Sequence, residues 1–420
     1  MSTPPAIGTT IRPTAHFTAP DGWLNDPYGI IWRDGRYELF YQTLPGATAW
    51  NPRCQWGHAT SPDLLTWTHQ PTAFEPGDDE LGCWSGGLAL PDPASPRSAR
   101  IFYTSVNEPQ LDLGAVRIAR PLDDDWRRWA KGDVVVAAPP GGDLRVFRDP
   151  VLVRDADQWR MLVGAGYRDR TPAVLTYVSA DLRTWTFDGV LASGRTAPTG
   201  PVPSGEAWEC PQLLKVGGRD VLIVSTWRDG TTHDVLAGVG TFQDGRMHVE
   251  RWQQLTHGTG HYAATEFSDA DGQPCLLFWI REVADLDGVW TGALSLPYRL
   301  SLDGPANVPL RLAPHPAVPS PGAADRHDEV EHFLLTEGAA VEASSVDVEF
   351  AHGTVRVGSG RSETLVTDVA GPVHVIVDGP VVEVCTGATL VGLGTMRRGA
   401  VAAAVHRHLG DGRRRRPEVH

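Results

Sequence analysis

The sequence predicts an all-β protein: a five-bladed β-propeller followed by a C-terminal β-sandwich. The 420 residues include 45 glycines, 34 prolines and 15 tryptophans, and few segments keep the 3.6-residue period of an amphipathic helix. One strand pattern recurs five times before residue 300, and alternating apolar and polar residues return after residue 329. The chain is too long for one ordinary core, so two domains are expected.

The recurring pattern is a strand that follows a shorter apolar run and a polar turn. Its starts lie about 54 to 64 residues apart. The five copies are Arg36–Tyr41, Arg100–Thr104, Trp159–Val163, Asp220–Val224 and Pro274–Phe278. Asp34-Gly35, between two apolar runs, predicts a hairpin in the first copy. Five units of this size, each with room for four short strands, fit the blades of a propeller. An array of sandwiches with accidental similarity is the alternative.

Three carboxylates occupy the same place in copies one, three and four. Asp26, Asp149 and Glu209 lie 10 or 11 residues before the aligned strand, each within two residues of a proline. In copies two and five, counting back the same number of residues from the recurring strand reaches Ala89 and Ala263, so no charge is expected at these positions. Because the innermost strands of a propeller converge on its axis, the three side chains are expected in one central pocket. Carboxylates that close shift one another's pKa, which is typical of a functional site.

The character of the chain changes after residue 300. Six prolines between residues 305 and 321 predict an irregular connection over 301–323, after a propeller over 1–300. Alternating segments in residues 324–408 predict a small β-sandwich. They are Ser345–Phe350, Thr354–Val357, His374–Val377 and Val381–Val384. Residues 409–420, with four consecutive arginines, are expected to be a disordered basic tail and not a binding patch.

Charge, hydropathy and cysteine usage limit the partners. A net charge of −14 argues against nucleic acid or an anionic membrane and suits a neutral substrate. The sequence has no apolar run of about 18 residues and no signal-peptide pattern, so a cytoplasmic location is expected, with export by another route left open. Five scattered cysteines without a CxxC pair predict neither a metal site nor a disulfide framework. No cofactor motif is found, and the oligomeric state is left open.

Three short blocks resemble a known family. Trp23–Gly29 reads Trp-Leu-Asn-Asp-Pro-Tyr-Gly, Phe147–Pro150 reads Phe-Arg-Asp-Pro, and Trp208–Pro211 reads Trp-Glu-Cys-Pro. In this order they are similar to the blocks of glycoside hydrolase family 32, the β-fructofuranosidases, which include invertases, levanases, inulinases and fructan exohydrolases. Supporting matches are Leu39–Gln42, Gln55–Ala59, Trp84–Gly86, Tyr262–Ala263 and Thr291–Pro297. The resemblance runs from about residue 16 to residue 406 and implies a five-bladed propeller followed by a sandwich.

The resemblance implies a retaining hydrolase that releases fructose through a covalent fructosyl-enzyme intermediate. Asp26 would be the nucleophile, and Glu209 the general acid and then the base; burial and the charge of Asp26 favour protonated Glu209. Asp149 would accept hydrogen bonds from ring hydroxyls, kept ionised by the neighbouring Arg148. From the residues alone Glu206 is an alternative acid, and the third block favours Glu209.

Seven further residues are expected to contact the substrate, because aromatic rings suit sugar faces and polar groups suit hydroxyls. They are Trp23, Asn25, Gln42, Trp50, Trp84, Ser85 and Arg148. For each tryptophan, packing in the core is the alternative.

Four sites depart from the family pattern and are expected to line or border the pocket. They are Tyr28, Trp84, Gln212 and the pair Gly260-His261. The substrate therefore stays open among sucrose, fructo-oligosaccharides, levan and inulin. The alternatives are a fructosyltransferase, a related furanosidase and a fructan-binding protein without catalysis.

Overall fold

The structure, a computed structural model, describes residues 12–139, 141–195, 205–285, 288–304, 308–322, 330–343, 346–359, 362–394 and 404–407. Within these ranges the chain forms 31 β-strands and one short 3-10 turn, Pro96–Ser98. The all-β prediction is therefore confirmed. The described part of the chain has no helix with the length and apolar character needed to span a bilayer.

The largest sheet joins the beginning of the chain to residues far along it. Its strands are β1 Gly22–Arg33, β2 Arg36–Leu44, β3 Gln55–Ser61, β4 Thr68–His69, β18 His261–Ser268, β19 Pro274–Ala284, β20 Trp290–Leu294, β21 Tyr298–Ser301 and β22 Arg311–Pro314. The two halves meet where β1 and β20 run parallel and Trp23 pairs with Thr291. Asp34 and Gly35, with φ of 51° and 77°, form the predicted two-residue turn between β1 and β2.

Three antiparallel sheets of four consecutive strands occupy the middle of the chain. The first contains β5 Gly82–Ala89, β6 Arg100–Val106, β7 Ala115–Pro121 and β8 Trp129–Ala137. The second contains β9 Leu144–Asp155, β10 Gln158–Tyr167, β11 Pro172–Ser179 and β12 Thr186–Ser193. The third contains β13 Ala207–Val216, β14 Arg219–Arg228, β15 Thr231–Gln243 and β16 Arg246–Gln254. Asp-Gly turns with positive φ at residues 229–230 and 244–245 join neighbouring strands of the third sheet.

Five strands, which we call the inner strands, contact one another in a ring. β1 contacts β5 and β18, β9 contacts β5 and β13, and β13 contacts β18. Each inner strand and the strands that follow it form one group. Clusters of buried apolar side chains lie between each pair of neighbouring groups. The inner strands therefore surround a common centre, and burying these faces stabilises the ring.

Two five-stranded sheets form the C-terminal part and share a core composed mostly of valine. One contains β17 Thr256–His257, β23 Val330–Leu335, β28 Val373–Asp378, β29 Val381–Cys385 and β30 Leu390–Gly394. The other contains β24 Ala339–Ala343, β25 Val346–Ala351, β26 Thr354–Ser359, β27 Ser362–Val366 and β31 Ala404–Arg407. Because β17 precedes β18 in the chain and pairs with β30, the two parts of the chain are joined through a shared sheet.

The segment 301–323, expected to be an irregular connection, contributes a strand to the largest sheet. β22 pairs with β21, and Leu300 lies opposite Leu312. The expected basic tail, residues 409–420, lies outside the described residues.

Candidate active site

Every inner strand carries a β-bulge. The register shifts lie between Leu24 and Pro27 in β1, Trp84 and Gly86 in β5, Arg148 and Val151 in β9, Glu209 and Gln212 in β13, and Tyr262 and Thr265 in β18. Bulges re-aim side chains and tolerate proline, which lacks the N–H that a regular ladder needs. This explains why each of the three carboxylates has a proline close behind it. Asp149 and Cys210 take positive φ values of 62° and 47° there.

The bulges open onto one cavity of about 430 Å³. All ten residues predicted for the site line it: Trp23, Asn25, Asp26, Gln42, Trp50, Trp84, Ser85, Arg148, Asp149 and Glu209. Asp26, Asp149 and Glu209 are only 9%, 4% and 6% exposed. Glu206, the alternative acid, is not among the lining residues, and it pairs with Arg145 at 2.6 Å.

Asp26 receives its hydrogen bonds on a single oxygen. Tyr28 Oη donates to Asp26 Oδ2 at 2.6 Å and Ser85 Oγ at 2.7 Å. Burial and the charge of Asp26 raise the pKa of Tyr28, so its hydroxyl remains a donor. Cys210 Sγ lies 3.8 Å from Oδ2 of both Asp26 and Asp149, which brings these two carboxylates close together.

The surroundings of Asp149 change its acidity. Burial raises its pKa, Arg148 lowers it, and the charges of Glu209 and Asp26 raise it again, to a value of about 7. The backbone N–H of Cys210 donates to its Oδ2 at 3.2 Å. Arg148 opposes the rise in the pKa of Asp149, but burial and the like charges of the neighbouring carboxylates outweigh the arginine.

Glu209 is held from two sides. Tyr262 Oη donates to Oε2 at 2.5 Å, and the guanidinium of Arg148 donates to Oε1. Arg148 also donates to Asp112 Oδ1 at 3.3 Å and lies 5.4 Å from the ring centroid of Trp84. Burial lowers the pKa of Arg148, but the surrounding carboxylates raise it above its ordinary value, so this side chain stays charged.

Aromatic rings form the rim of the cavity. Trp50 is 47% exposed and packs edge-on against Trp84, with ring centroids 5.6 Å apart. Trp23 packs against Trp279 with ring centroids 5.6 Å apart, and its Nε1 donates to Asn25 Oδ1 at 2.9 Å. Rings held in this way present flat apolar faces beside fixed polar groups, as sugar binding requires.

Comparison with known proteins decides the family. The model described as "Glycosyl hydrolases family 32 N-terminal domain" matches residues 16–314, most of the chain. The chain belongs to glycosyl hydrolase family 32.

Curated relatives include the sucrose-6-phosphate hydrolase of Escherichia coli, 33% identical over 319 residues that cover 70% of this chain and 63% of that protein. The raffinose invertase of Escherichia coli is 31% identical over 314 residues, covering 69% and 62%. The chain thus spans about three fifths of the length of these relatives. Among solved structures, a family 32 β-fructofuranosidase of Bombyx mori shares the fold, with a TM-score of 0.77, 22% identity and coverage of 94% of this chain and 93% of that one. Fructan 1-exohydrolase IIa of Cichorium intybus shares it too, with a TM-score of 0.75, 18% identity and coverage of 96% and 95%.

Seven residues that line the cavity of this family 32 chain are not marked as site residues by the sequence: Leu111, Asp112, Trp227, Gly230, Thr232, Tyr262 and Trp279. Tyr262 could have been found, because the count in copy five reached Ala263, its neighbour at the bulge. In copy two the count reached Ala89, whereas the bulge lies at Ser85. The other residues lie in connections or on later strands, and no repeat signal marks them.

The sites at which the sequence departs from the family pattern do not all lie in the same part of the structure. Trp84 lines the cavity, and Tyr28 is buried beside it and hydrogen-bonds Asp26. Gln212 instead lines a separate cavity of about 300 Å³, and the ring of His261 faces the C-terminal sheet and contacts Glu383. The expectation that all of these sites border the pocket is therefore wrong for Gln212 and His261, which lie on the far sides of their bulges.

One group in the described part of the chain has the spacing of metal ligands: Asp269, Cys275 and His315. Asp269 Oδ2 already accepts from Arg299 Nε at 2.6 Å, and His315 Nε2 lies 3.1 Å from it. A guanidinium at that distance repels a cation, so the group is better explained as a structural cluster.

Proposed function

We propose that this protein is a retaining β-fructofuranosidase, which releases fructose from β-fructofuranosides through a covalent fructosyl-enzyme intermediate. The observation that carries the proposal is the placement of Asp26 and Glu209, buried carboxylates from two different inner strands, on one aromatic-rimmed cavity. Family membership supports it. So do the proteins that the chain is similar to, among them a raffinose invertase and a Bombyx mori β-fructofuranosidase solved in complex with sucrose.

We also infer that the five groups of strands are the blades of a five-bladed β-propeller and that the C-terminal sheets form a β-sandwich. The closed ring of inner strands, with one bulge in each, supports the first inference. The shared valine core supports the second. The propeller would then extend beyond residue 300 to β22, which agrees with the family match ending at residue 314.

Asp26 is proposed as the nucleophile. No described residue hydrogen-bonds its Oδ1, whereas Tyr28 and Ser85 both donate to Oδ2. These donors fix the carboxylate plane and leave one oxygen to attack the anomeric carbon of the fructosyl unit. They also stabilise the carboxylate when it leaves in the second step.

Glu209 is proposed as the general acid and base. Without substrate, Tyr262 and Arg148 both donate to it, and these donors orient the carboxylate that activates water in the second step. Protonating the departing oxygen in the first step requires Arg148 to leave Glu209. Asp112, already 3.3 Å from Arg148, offers an alternative partner, and the sugar hydroxyls offer others.

Asp149 is proposed to bind the fructosyl ring without reacting. Its carboxylate lies close to that of Asp26, and positive charge develops on the ring in the transition state, so hydrogen bonds from ring hydroxyls to Asp149 strengthen there. Burial raises the pKa of Asp149, so this carboxylate binds a proton more readily than an exposed aspartate.

Replacing the nucleophile tests the proposal. Asp26→Asn is expected to lower turnover of sucrose by about a thousandfold or more with an unchanged unfolding midpoint, because it removes the attacking oxygen and keeps the shape. Glu206→Gln, a change at a carboxylate that pairs with Arg145 and does not line the cavity, is the matched control and should retain most of the activity. Wild-type turnover in Asp26→Asn would refute the assignment.

Chromatography of products from sucrose, inulin and levan separates fructose release from transfer, and binding without any product would indicate a fructan-binding protein.

The charges around the cavity favour a neutral fructoside over a phosphorylated one. Among the described residues, Arg148 is the only Lys or Arg that lines the cavity, and it is already engaged by Glu209 and Asp112. Arg145, which stacks on Trp227, is paired with Glu206. Residues 196–204, outside the described ranges, contain no Lys or Arg. A phosphate would therefore meet carboxylates without a free counter-charge.

We expect kcat/KM for sucrose to exceed that for sucrose 6-phosphate by about tenfold or more at fixed ionic strength. The comparison needs only purified protein and both sugars. A preference for the phosphorylated sugar would contradict this reading of the charges and leave the assignment of Asp26 untouched.

A further inference from the structure

A buried carboxylate of the C-terminal part, Glu383 in β29, contacts the ring of inner strands. Its side chain has no solvent exposure. Oε1 accepts from His16 Nε2 at 2.7 Å and from the backbone N–H of Leu296 at 2.8 Å. Oε2 accepts from His261 Nε2 at 2.5 Å and from Tyr298 Oη at 3.0 Å. Burial favours its protonation, but the hydrogen bonds from the two histidines hold the pKa of Glu383 well below its ordinary value.

His261 is connected to the candidate acid, Glu209, through the next residue in the chain. It begins β18, and the next residue, Tyr262, lies at the bulge and donates to Glu209 Oε2 at 2.5 Å. The guanidinium of Arg281 lies 4.9 Å from the ring centroid of Tyr262, and its Nη2 donates to the carbonyl of His261 at 3.5 Å. The path from Glu383 to Glu209 therefore consists of two side-chain hydrogen bonds and one peptide unit.

The packing around His261 leaves little room for it to move. A Cβ at Gly260 would lie 1.9 Å from the carbonyl oxygen of Gly392 in β30, and a Cβ at Gly392 would lie 2.5 Å from His261 Nδ1. Both positions therefore require glycine, because the start of β18 presses against β30. A shift of the C-terminal sheet would be transmitted to the beginning of β18.

We propose that Glu383 is a positioning residue for Glu209, acting through His261 and Tyr262. This inference rests on the role proposed above for Glu209. The C-terminal part supplies no residue to the described lining of the cavity, yet it fixes the strand that presents the phenol to the acid. His261, which departs from the family pattern, is the link between Glu383 and the strand that carries Tyr262.

The test is the pH dependence of kcat in variants of Glu383 and His261. Glu383→Gln and His261→Phe should lower kcat by about tenfold and move the alkaline limb of the profile upward by up to about one pH unit, because a carboxylate that loses a donor holds its proton to higher pH. His261→Gln keeps a donor for Glu383 and should restore both values towards wild type. Crystal structures of the variants should show the Tyr262 Oη to Glu209 Oε2 distance lengthened beyond hydrogen-bonding range.

Asp378→Asn is the matched control, because Asp378 is on the same hairpin, is equally buried and also binds His16, but does not touch His261. It should lower stability and leave the alkaline limb in place. An unmoved limb in folded Glu383→Gln and His261→Phe, or an equal shift in Asp378→Asn, overturns the proposal. If Glu383→Gln does not fold, His261→Phe decides. If no fructoside is cleaved, the proposed function fails, and the distance in the crystals still decides whether Glu383 positions Glu209.

Discussion

The imidazole of His16 offers a quantitative test of how the two parts of the chain are joined. It has no solvent exposure, its Nδ1 lies 2.8 Å from Asp378 Oδ2, and its Nε2 lies 2.7 Å from Glu383 Oε1. Burial lowers its pKa, but the hydrogen bonds to both carboxylates raise it, to a net value of about 9. The backbone N–H groups of Thr14 and Ala15 also donate to Asp378, at 2.7 and 2.9 Å, so the residues before β1 are bound to the C-terminal hairpin.

The sign of the pH dependence follows from the direction of this shift. The folded protein binds the proton of His16 more tightly than the unfolded chain, in which an ordinary histidine titrates near 6.5. The stabilisation is fully present below about pH 6.5 and is lost as the pH rises through about 9. A shift from 6.5 to about 9 corresponds to about 3 kcal/mol of unfolding free energy.

We expect His16→Gln to be less stable than wild type by about 3 kcal/mol near pH 6 and to approach it near pH 10, measured by urea unfolding at pH 6 to 10. Thr14→Ala is the control. It removes a hydroxyl 3.1 Å from Asp378 but no titrating group, so its curve should run parallel to that of wild type. Parallel plots of unfolding free energy against pH for His16→Gln and wild type would refute the reasoning. The difference in stability between the two proteins has to decrease between pH 6.5 and 9.

The remaining predictions concern the cavity. Ser85→Ala removes a 2.7 Å donor to Asp26 and should lower kcat about tenfold with an unchanged unfolding midpoint; an unchanged kcat would show that this hydrogen bond does not help the nucleophile. Trp50→Ala, at a half-exposed ring, should raise KM for inulin or levan more than for sucrose and leave kcat near wild type. Equal effects on short and long fructosides would argue that Trp50 does not contact the extended part of the substrate.

Much of the candidate site was predictable because the repeat fixes how far each inner-strand residue lies from the recurring strand of its copy. Asp26, Asp149 and Glu209 were chosen by counting from an aligned strand, and the structure brings them to one cavity. The count failed in copy two, because spacing alone does not show where a bulge interrupts the strand: Ser85 lies four positions before Ala89. The family blocks recovered Ser85 where the count did not.

The features that sequence did not predict depend on long-range partners. Placing Arg148 on Glu209 instead of on its neighbour Asp149 requires the geometry of two adjacent inner strands. The joining of the two parts through β17 and β30 involves a two-residue strand, which is too short to show any periodicity. The cytoplasmic location and the absence of nucleic-acid or membrane partners stay predictions.

The parallel pairing of β1 with β20 has a consequence for biosynthesis. The strand that presents Asp26 is made first, yet its parallel neighbour β20, in which Thr291 pairs with Trp23, is made only after all five inner strands. A nascent chain released between Glu209 and Trp290 would carry every proposed reacting group and still lack β20, the strand that pairs with β1 beside the first of them. Translation must therefore run far beyond the last of these groups before the proposed active site is complete, and prematurely terminated products should be inert.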